Sequence, residues 1–254
     1  MIFTMARKLK RAATALAVAA FWLCVWALLS RAINQEILLP SPAAVAATLW
    51  RLWQTATFWQ AVGCSLLRVM CGFLAAVAIG TLLAVLTTRW RPAELALSPL
   101  LHIVRAAPVA SFILLAYFWI RLQLLPGFIA SLMVVPLVWE NVCQGIRQTD
   151  RRLLEMARVY HLGAFRTLRQ VWLPSVQPYF ASACVVGLGF AWKSGIAAEV
   201  ICSPARSIGQ QMFNAKAYLE MPEVFAWTAT VVLLSVLMER ILRRLIDRQR
   251  GTKT

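Results

Sequence analysis

Few residues in this chain could do chemistry, and most of them are set in apolar sequence. Glu140, Lys193 and Glu199 are ionisable groups inside long hydrophobic runs. A charge in hydrocarbon is costly unless it meets a partner, water or protein, so each is a default candidate for lining a solute path. Asn141 follows Glu140 in the same run and joins the candidates. Lys193 and Glu199 are six residues apart and do not share a helix face, so any partner must come from another helix. A purely structural ion pair between helices, or an interfacial position, is the competing reading for all three charges. A cationic Lys193 in the path would favour an anionic solute. Arg68, near the end of another apolar run, either snorkels to the interface or takes part in transport.

No catalytic set is visible: there is no nucleophile–His–acid group and no paired carboxylates at a cleft. Gly187-Leu-Gly-Phe-Ala-Trp-Lys-Ser-Gly195 misses a phosphate-binding loop by one residue, Trp192 for the second glycine. It also lacks the preceding strand, so nucleotide binding is rejected there. Its small residues instead recur every four positions, at Ala183, Gly187, Ala191 and Gly195, a stripe that permits close helix packing. The six cysteines form no Cys-x-x-Cys pair, and His102 and His161 sit on different segments. No metal site and no cofactor are expected.

The elements that must position these residues are membrane helices. The chain has 254 residues, is 61% hydrophobic and only 14% charged, and apolar stretches of spanning length recur throughout. The reading is an all-α integral membrane protein with about six spans. They lie near 12–30, 61–86, 97–120, 128–146, 175–200 and 224–242. The third is interrupted at Arg105-Ala-Ala-Pro108, because proline breaks a straight helix. Basic residues collect at Arg7–Arg11, Arg89–Arg91, Arg147–Arg169 and the C-terminal tail, which places those loops and both termini on the cytoplasmic side. The net charge of +16 is thereby explained by topology, and nucleic acid is not an expected partner. The first apolar run is read as a retained helix, since it outlasts a signal-peptide core and no small-x-small cleavage site follows.

One stretch stands apart, Asp150 to Pro174. It reads as two short amphipathic helices joined by a turn at His161-Leu-Gly163, with Asp150 as N-cap. Leu173-Pro174 would open the next apolar helix. The competing reading is a basic helix lying on anionic lipid.

Glu155-Met-Ala157 followed by Val171-x-Leu173-Pro174 resembles the EAA loop of bacterial ABC importer membrane subunits. Met156 stands for the second alanine and His161 for the family glycine; Gly163 is expected to supply the turn instead. Leu38-Leu-Pro-Ser-Pro42, Ser65-Leu-Leu-Arg-Val-Met-Cys-Gly-Phe73 and Ala197-Ala-Glu199 are similar to segments of the nitrate-, sulfonate- and taurine-type group, in the same order. The resemblance implies an ABC importer permease (MetI-like) fold, a single transmembrane permease domain over 1–254, and residence in the bacterial inner membrane. It also implies a non-catalytic subunit that docks on a separate cytoplasmic ABC ATPase, which binds the ATP. Glu155, Met156, Ala157, Tyr160, His161, Gly163, Leu173 and Pro174 would form that coupling surface. An extracytoplasmic substrate-binding protein and a second copy of the chain, as a homodimer, are the other implied partners. A secondary transporter or channel with a lipid-surface loop is the rival reading; no convincing internal repeat supports it.

Overall fold

The computed structural model describes the backbone of residues 2–251 and the side-chain surroundings of residues 13–14 and 17–248. The basic side chains Arg7, Lys8, Lys10, Arg11, Arg250 and Lys253 lie outside that described set. The helices are α1 (Ile2–Ile33), α2 (Pro42–Trp53), α3 (Ala56–Arg89), α4 (Arg91–Ala106), α5 (Val109–Ala116), α6 (Leu125–Arg147), α7 (Arg151–Val159), α8 (Ala164–Thr167), α9 (Leu173–Cys202), α10 (Ile208–Ala217) and α11 (Met221–Gly251). No strand occurs among the described residues. Closed backbone hydrogen bonding inside each segment is what a bilayer demands.

Among the described residues, four helical runs are long and apolar enough to cross a membrane: Ala56–Arg89, Leu125–Arg147, Ala164–Cys202 and Met221–Arg248. Helix α1 contributes a shorter apolar stretch, Ala17–Ile33. The third span is broken where the sequence leads one to expect. Helices α4 and α5 reach spanning length only together, and they bend by 104°. Ala107 precedes a proline and is extended (φ −77°, ψ 145°), as is Pro108 (φ −62°, ψ 132°). Two extended residues in succession turn a kink into a corner.

The chain divides into two compact units. The first comprises Met1–Trp59 and Gln211–Val231. Ser41 caps α2 by accepting from the Ala44 N–H at 3.2 Å, with Pro42 at the first helical position; both are the expected devices for starting a helix. Aromatic rings then close the unit: Trp26 stacks on Phe225 at 6.0 Å and Phe58 on the buried Trp227 at 5.1 Å. Trp26 donates from Nε1 to the Pro40 carbonyl, 3.1 Å, so a half-buried apolar body has its one polar atom satisfied.

The second unit comprises Gln60–Gln210 and Val232–Thr254. Its centre is α6 packed on α9, and small residues set how close the helices come. Ala183 and Ala191 of the four-residue stripe are buried, and a Cβ on Gly195 would sit 2.6 Å from Val69 Cγ2. Helices α3 and α6 touch backbone to backbone at Gly72 and Gly127, where a Cβ on Gly72 would lie 2.1 Å from the Gly127 carbonyl oxygen. In lipid there is no hydrophobic drive to bring helices together, so such close packing supplies the association energy. Ile113, Ala116, Leu125, Ile129, Ala198 and Cys202 form an apolar cluster joining α5, α6 and α9. Trp139 of α6 donates to Thr87 Oγ1 of α3 at 2.9 Å within the buried interior.

The Gly72–Gly127 contact yields a prediction. Gly72→Val forces backbone apart and should cost about 1–3 kcal/mol or more, whereas Gly63→Ala meets nothing within 4 Å and should be neutral. Thermal unfolding of the two purified variants, followed by loss of the monodisperse elution peak, would separate them. Equal melting would show that the crossing is not tight.

Candidate functional sites: the polar loop and the buried charges

The loop begins as the sequence leads one to expect. Asp150 accepts from the Arg152 N–H at 2.9 Å and caps α7. Ala157 is buried, whereas Glu155, Met156, Val159 and Tyr160 are exposed, Val159 at 74% and Tyr160 at 72%. Met156, Val159 and Tyr160 therefore form one apolar face at i, i+3 and i+4.

The turn after α7 differs from expectation. Gly163 does not supply it: its φ is −60° and it begins α8. His161 itself adopts the left-handed conformation, φ 47°. The Leu162 N–H donates to the Ala157 carbonyl at 2.9 Å and the His161 N–H to the Arg158 carbonyl at 3.0 Å. This is the helix-ending Schellman pattern, whose left-handed position favours glycine. His161 occupies the position where the resembled family has glycine, and the backbone keeps the glycine-like shape at a steric cost.

Leu173-Pro174 opens α9 as expected, with Pro174 in its first turn, but no break precedes it. The chain is helical without a break from Ala164 to Cys202. Pro174 is accommodated by a π-helical turn at Leu168–Trp172, closed by the Leu173 N–H donating to the Leu168 carbonyl. Proline removes one donor and crowds the carbonyl four residues back, and a widened turn relieves both effects. At the loop's other end Tyr179 of α9 donates to Gln148, and its ring covers Gly145 of α6.

The four intramembrane candidates fall in different surroundings. Glu140 of α6 is half-exposed and pairs with Arg105 at the end of α4. Asn141 donates its amide to the Leu137 carbonyl of its own helix at 2.8 Å. Lys193 is exposed on α9, in one stripe with Ser182, Val186, Phe190 and Ala197 on an otherwise buried helix. It has no hydrogen-bond or ion-pair partner among the described residues. A second pair, Arg147 with Glu94 at 2.6 Å, links the far ends of α6 and α4. The two pairs have opposite polarity along the helices and so fix an antiparallel register.

Glu199 is fully buried, at 0% exposure. Its Oε2 accepts from Ser65 Oγ at 2.7 Å and from the Gly209 N–H at 3.3 Å, and Arg68 Nη1 stands 3.6 Å from its Oε1. Ser65 Oγ also accepts from the Ile208 N–H at 2.9 Å. Arg68 Nη2 donates to the Ala205 carbonyl at 2.9 Å and to Gln123. One ion pair thus ties α3, α9 and the turn that precedes α10. That turn is held in left-handed conformations at Ser203 (φ 46°) and Arg206 (φ 56°). Gly209 is needed for approach rather than for a turn: a Cβ there would lie 2.3 Å from the Glu199 Cβ. Arg68 therefore faces protein, with only 15% of its side chain exposed. Sequence reading did not find this partnership. The available signal was Ser65 and Arg68 at i, i+3, one face of one helix.

The chain is similar to known proteins in sequence and in fold. Residues 72–251 match the family described as "Binding-protein-dependent transport system inner membrane component". A putative aliphatic sulfonates transport permease protein of Escherichia coli is 28% identical over 211 residues, 83% of this chain and 77% of its own length. A bicarbonate transport system permease protein of Synechococcus elongatus is 27% identical over 195 residues, 73% of this chain and 66% of its own. The fold is similar to that of a chain in a bacterial alginate ABC transporter in complex with an alginate pentasaccharide-bound periplasmic protein. The TM-score is 0.62 at 13% identity, covering 98% of both chains.

Two outcomes follow from these sites. His161→Gly should stabilise the loop by about 1 kcal/mol, read as stronger amide-exchange protection at Leu162 and Tyr160; unchanged protection would refute the strained turn. Glu199→Ala leaves Arg68 buried without its counter-charge and should destabilise by about 3–5 kcal/mol. Glu199→Gln keeps the acceptor for Ser65 and should cost less. Equal melting temperatures for the two variants would count against the ion pair as the anchor.

Proposed function

The chain belongs to the family of binding-protein-dependent transport system inner membrane components, and from that premise we propose that it is the permease subunit of an ATP-driven ABC importer. It would span the bacterial inner membrane about six times, with both termini cytoplasmic and residues 1–254 acting as one permease domain. It would carry no catalytic residues of its own, and a separate cytoplasmic ATPase would bind and hydrolyse the ATP.

The observation that carries this reading is the α7 surface. Met156, Val159 and Tyr160 form an exposed apolar face in a loop otherwise rich in arginine, flanked by the exposed Glu155. A contiguous exposed apolar face marks an interaction site. A short helix with apolar anchors and a charged rim suits a groove on a partner. His161 and Gly163 set how α7 projects. Leu173 and Pro174 lie in the helix that continues from the loop into the membrane. That run has 39 residues, about 58 Å at 1.5 Å per residue, so displacement of the loop would be transmitted along it. Two copies pulled together by ATP-driven closure of two ATPase subunits would then rock between outward- and inward-open states.

Lys193, on the open stripe of α9, is the leading path residue, and the Arg105–Glu140 pair with Asn141 is the second. Glu199 is assigned a positioning role, since its surroundings leave it no open face. A cationic path residue agrees with relatives named for sulfonates and bicarbonate, so the solute is proposed to be a small anion. A substrate-binding protein would deliver it from outside.

Purification of the tagged chain from native membranes in mild detergent should bring down an ABC ATPase, and Glu155→Lys should abolish its recovery. A chain that elutes alone under every nucleotide condition would instead favour a channel or secondary transporter. In cells, Lys193→Gln should reduce uptake of the anion with the complex still assembled; unaffected uptake would remove Lys193 from the path.

A further inference from the structure

Two apolar grooves run side by side along α3 and share Thr81, Val85 and Arg89. One, of about 510 Å³, is closed by Ile146 of α6 and by Trp172 of the π turn. The other, of about 780 Å³, extends from Arg89 and Trp90 to Leu74 and is bounded by Phe180 of α9. From Leu74 to Arg89 the helix rises about 22 Å, more than the ~15 Å of hydrocarbon in one leaflet. The hydroxyls in the walls are already used. Thr81 donates to the Val77 carbonyl at 2.7 Å and Thr88 to the Ala84 carbonyl at 2.7 Å. The slot itself therefore asks for an apolar occupant.

Its mouth asks for the opposite. Arg89 is exposed at the end of α3, and its guanidinium makes no hydrogen bond or ion pair with the described residues. Trp90, 58% exposed beside it, is the side chain that favours the headgroup level of a membrane. A long apolar slot with an unpaired cation and an interfacial tryptophan at one end complements a molecule with hydrocarbon chains and an anionic head. A small hydrophilic solute would find no polar partner along these walls.

We propose that these grooves bind an anionic phospholipid of the cytoplasmic leaflet, with acyl chains along Leu74–Val85 and the phosphate on Arg89. The leaflet rests on the topology proposed above, in which Arg89-Trp-Arg91 is cytoplasmic. Basic pockets between helices on that side are suited to lipid headgroups. The site has a mechanical consequence. Leu168 and Trp172 of the π turn and Leu173 at the start of α9 form part of its wall, so an acyl chain there packs against the π turn between the coupling loop and α9. An occupied groove stiffens that turn, and the lipid tunes how loop motion reaches the membrane.

The test uses the complex purified with its partner subunits, exchanged into micelles holding equimolar phosphatidylglycerol and phosphatidylcholine of matched chains. Retained lipid is identified by native mass spectrometry. Phosphatidylglycerol should be retained in preference by roughly fivefold, the contribution of one interfacial arginine. Arg89→Gln should abolish the preference, and Val85→Trp, at an exposed position of the slot, should abolish retention of both lipids. Equal retention in wild type and both variants would overturn the proposal. So would efficient disulfide capture of a second copy by Val85→Cys in vesicles of the same lipids, which would assign this face to a contact between copies. Recovery of the ATPase in the same preparation reads separately: its absence counts against the permease reading, whereas unselective lipid retention counts against the groove.

Discussion

The buried ion pair between Arg68 and Glu199 is the constraint on which the rest of the second unit depends. A charge inside a bilayer-spanning helix is tolerated only when its surroundings replace water. Here one carboxylate collects a serine hydroxyl, a backbone N–H and a guanidinium. Two donors come from α3 and one from the start of α10, and the carboxylate belongs to α9, so three segments are fixed together in a single arrangement. Apolar packing alone would let α3 slide along α9 with little penalty, because a lipid tail substitutes readily for a leucine. Two hydrogen bonds to one carboxylate oxygen, at 2.7 and 3.3 Å, and a guanidinium 3.6 Å from the other remove that freedom. The arrangement also accounts for the glycine at 209 and for the left-handed residues 203 and 206, which bring the backbone to the carboxylate.

At the other end of α9 the chemistry is reversed. There the loop is solvated and highly charged, its helix is short, and its turn is held by a histidine in a glycine-like conformation. Between the two ends runs a continuous helix that carries the π turn before Pro174 and a second proline, Pro178, within α9. The chain therefore joins an exposed, charged end to a buried one through an unbroken helical run, the arrangement a subunit proposed to convert cytoplasmic closure into motion within the membrane requires.

The broken pair α4–α5 follows a third logic. Only Leu101 of α4 is buried, and the helix is held to α6 by two half-exposed ion pairs of opposite polarity. Exposed pairs contribute little stability, but they define register. An element held by register rather than by burial moves more cheaply than the α6–α9 core.

Class and family were legible in the sequence because each rests on local signals. Apolar runs of spanning length, the arginine bias between loops, and Glu155-x-Ala157 with Leu173-Pro174 depend on neighbours in the chain. The Asp150 cap and the packing stripe from Ala183 to Gly195 were legible for the same reason. Two local details escaped the reading: within the His161-Leu-Gly163 turn the left-handed residue is His161 rather than Gly163, and α9, which begins at Leu173 as expected, is joined to α8 by a π turn. What the sequence could not decide was every feature set by residues distant along the chain. It could list Arg68, Glu140, Lys193 and Glu199 as costly, but not say which charge was paired. Pairing across helices depends on crossings such as Gly195 on Val69, where α9 meets α3 and residues 134 positions apart come into contact at Ser65 and Glu199. Composition and periodicity therefore determined that this is a helical membrane protein, its motifs carried the resemblance to a transport family, and only tertiary packing decided which of its charges are neutralised in the core and which are left open.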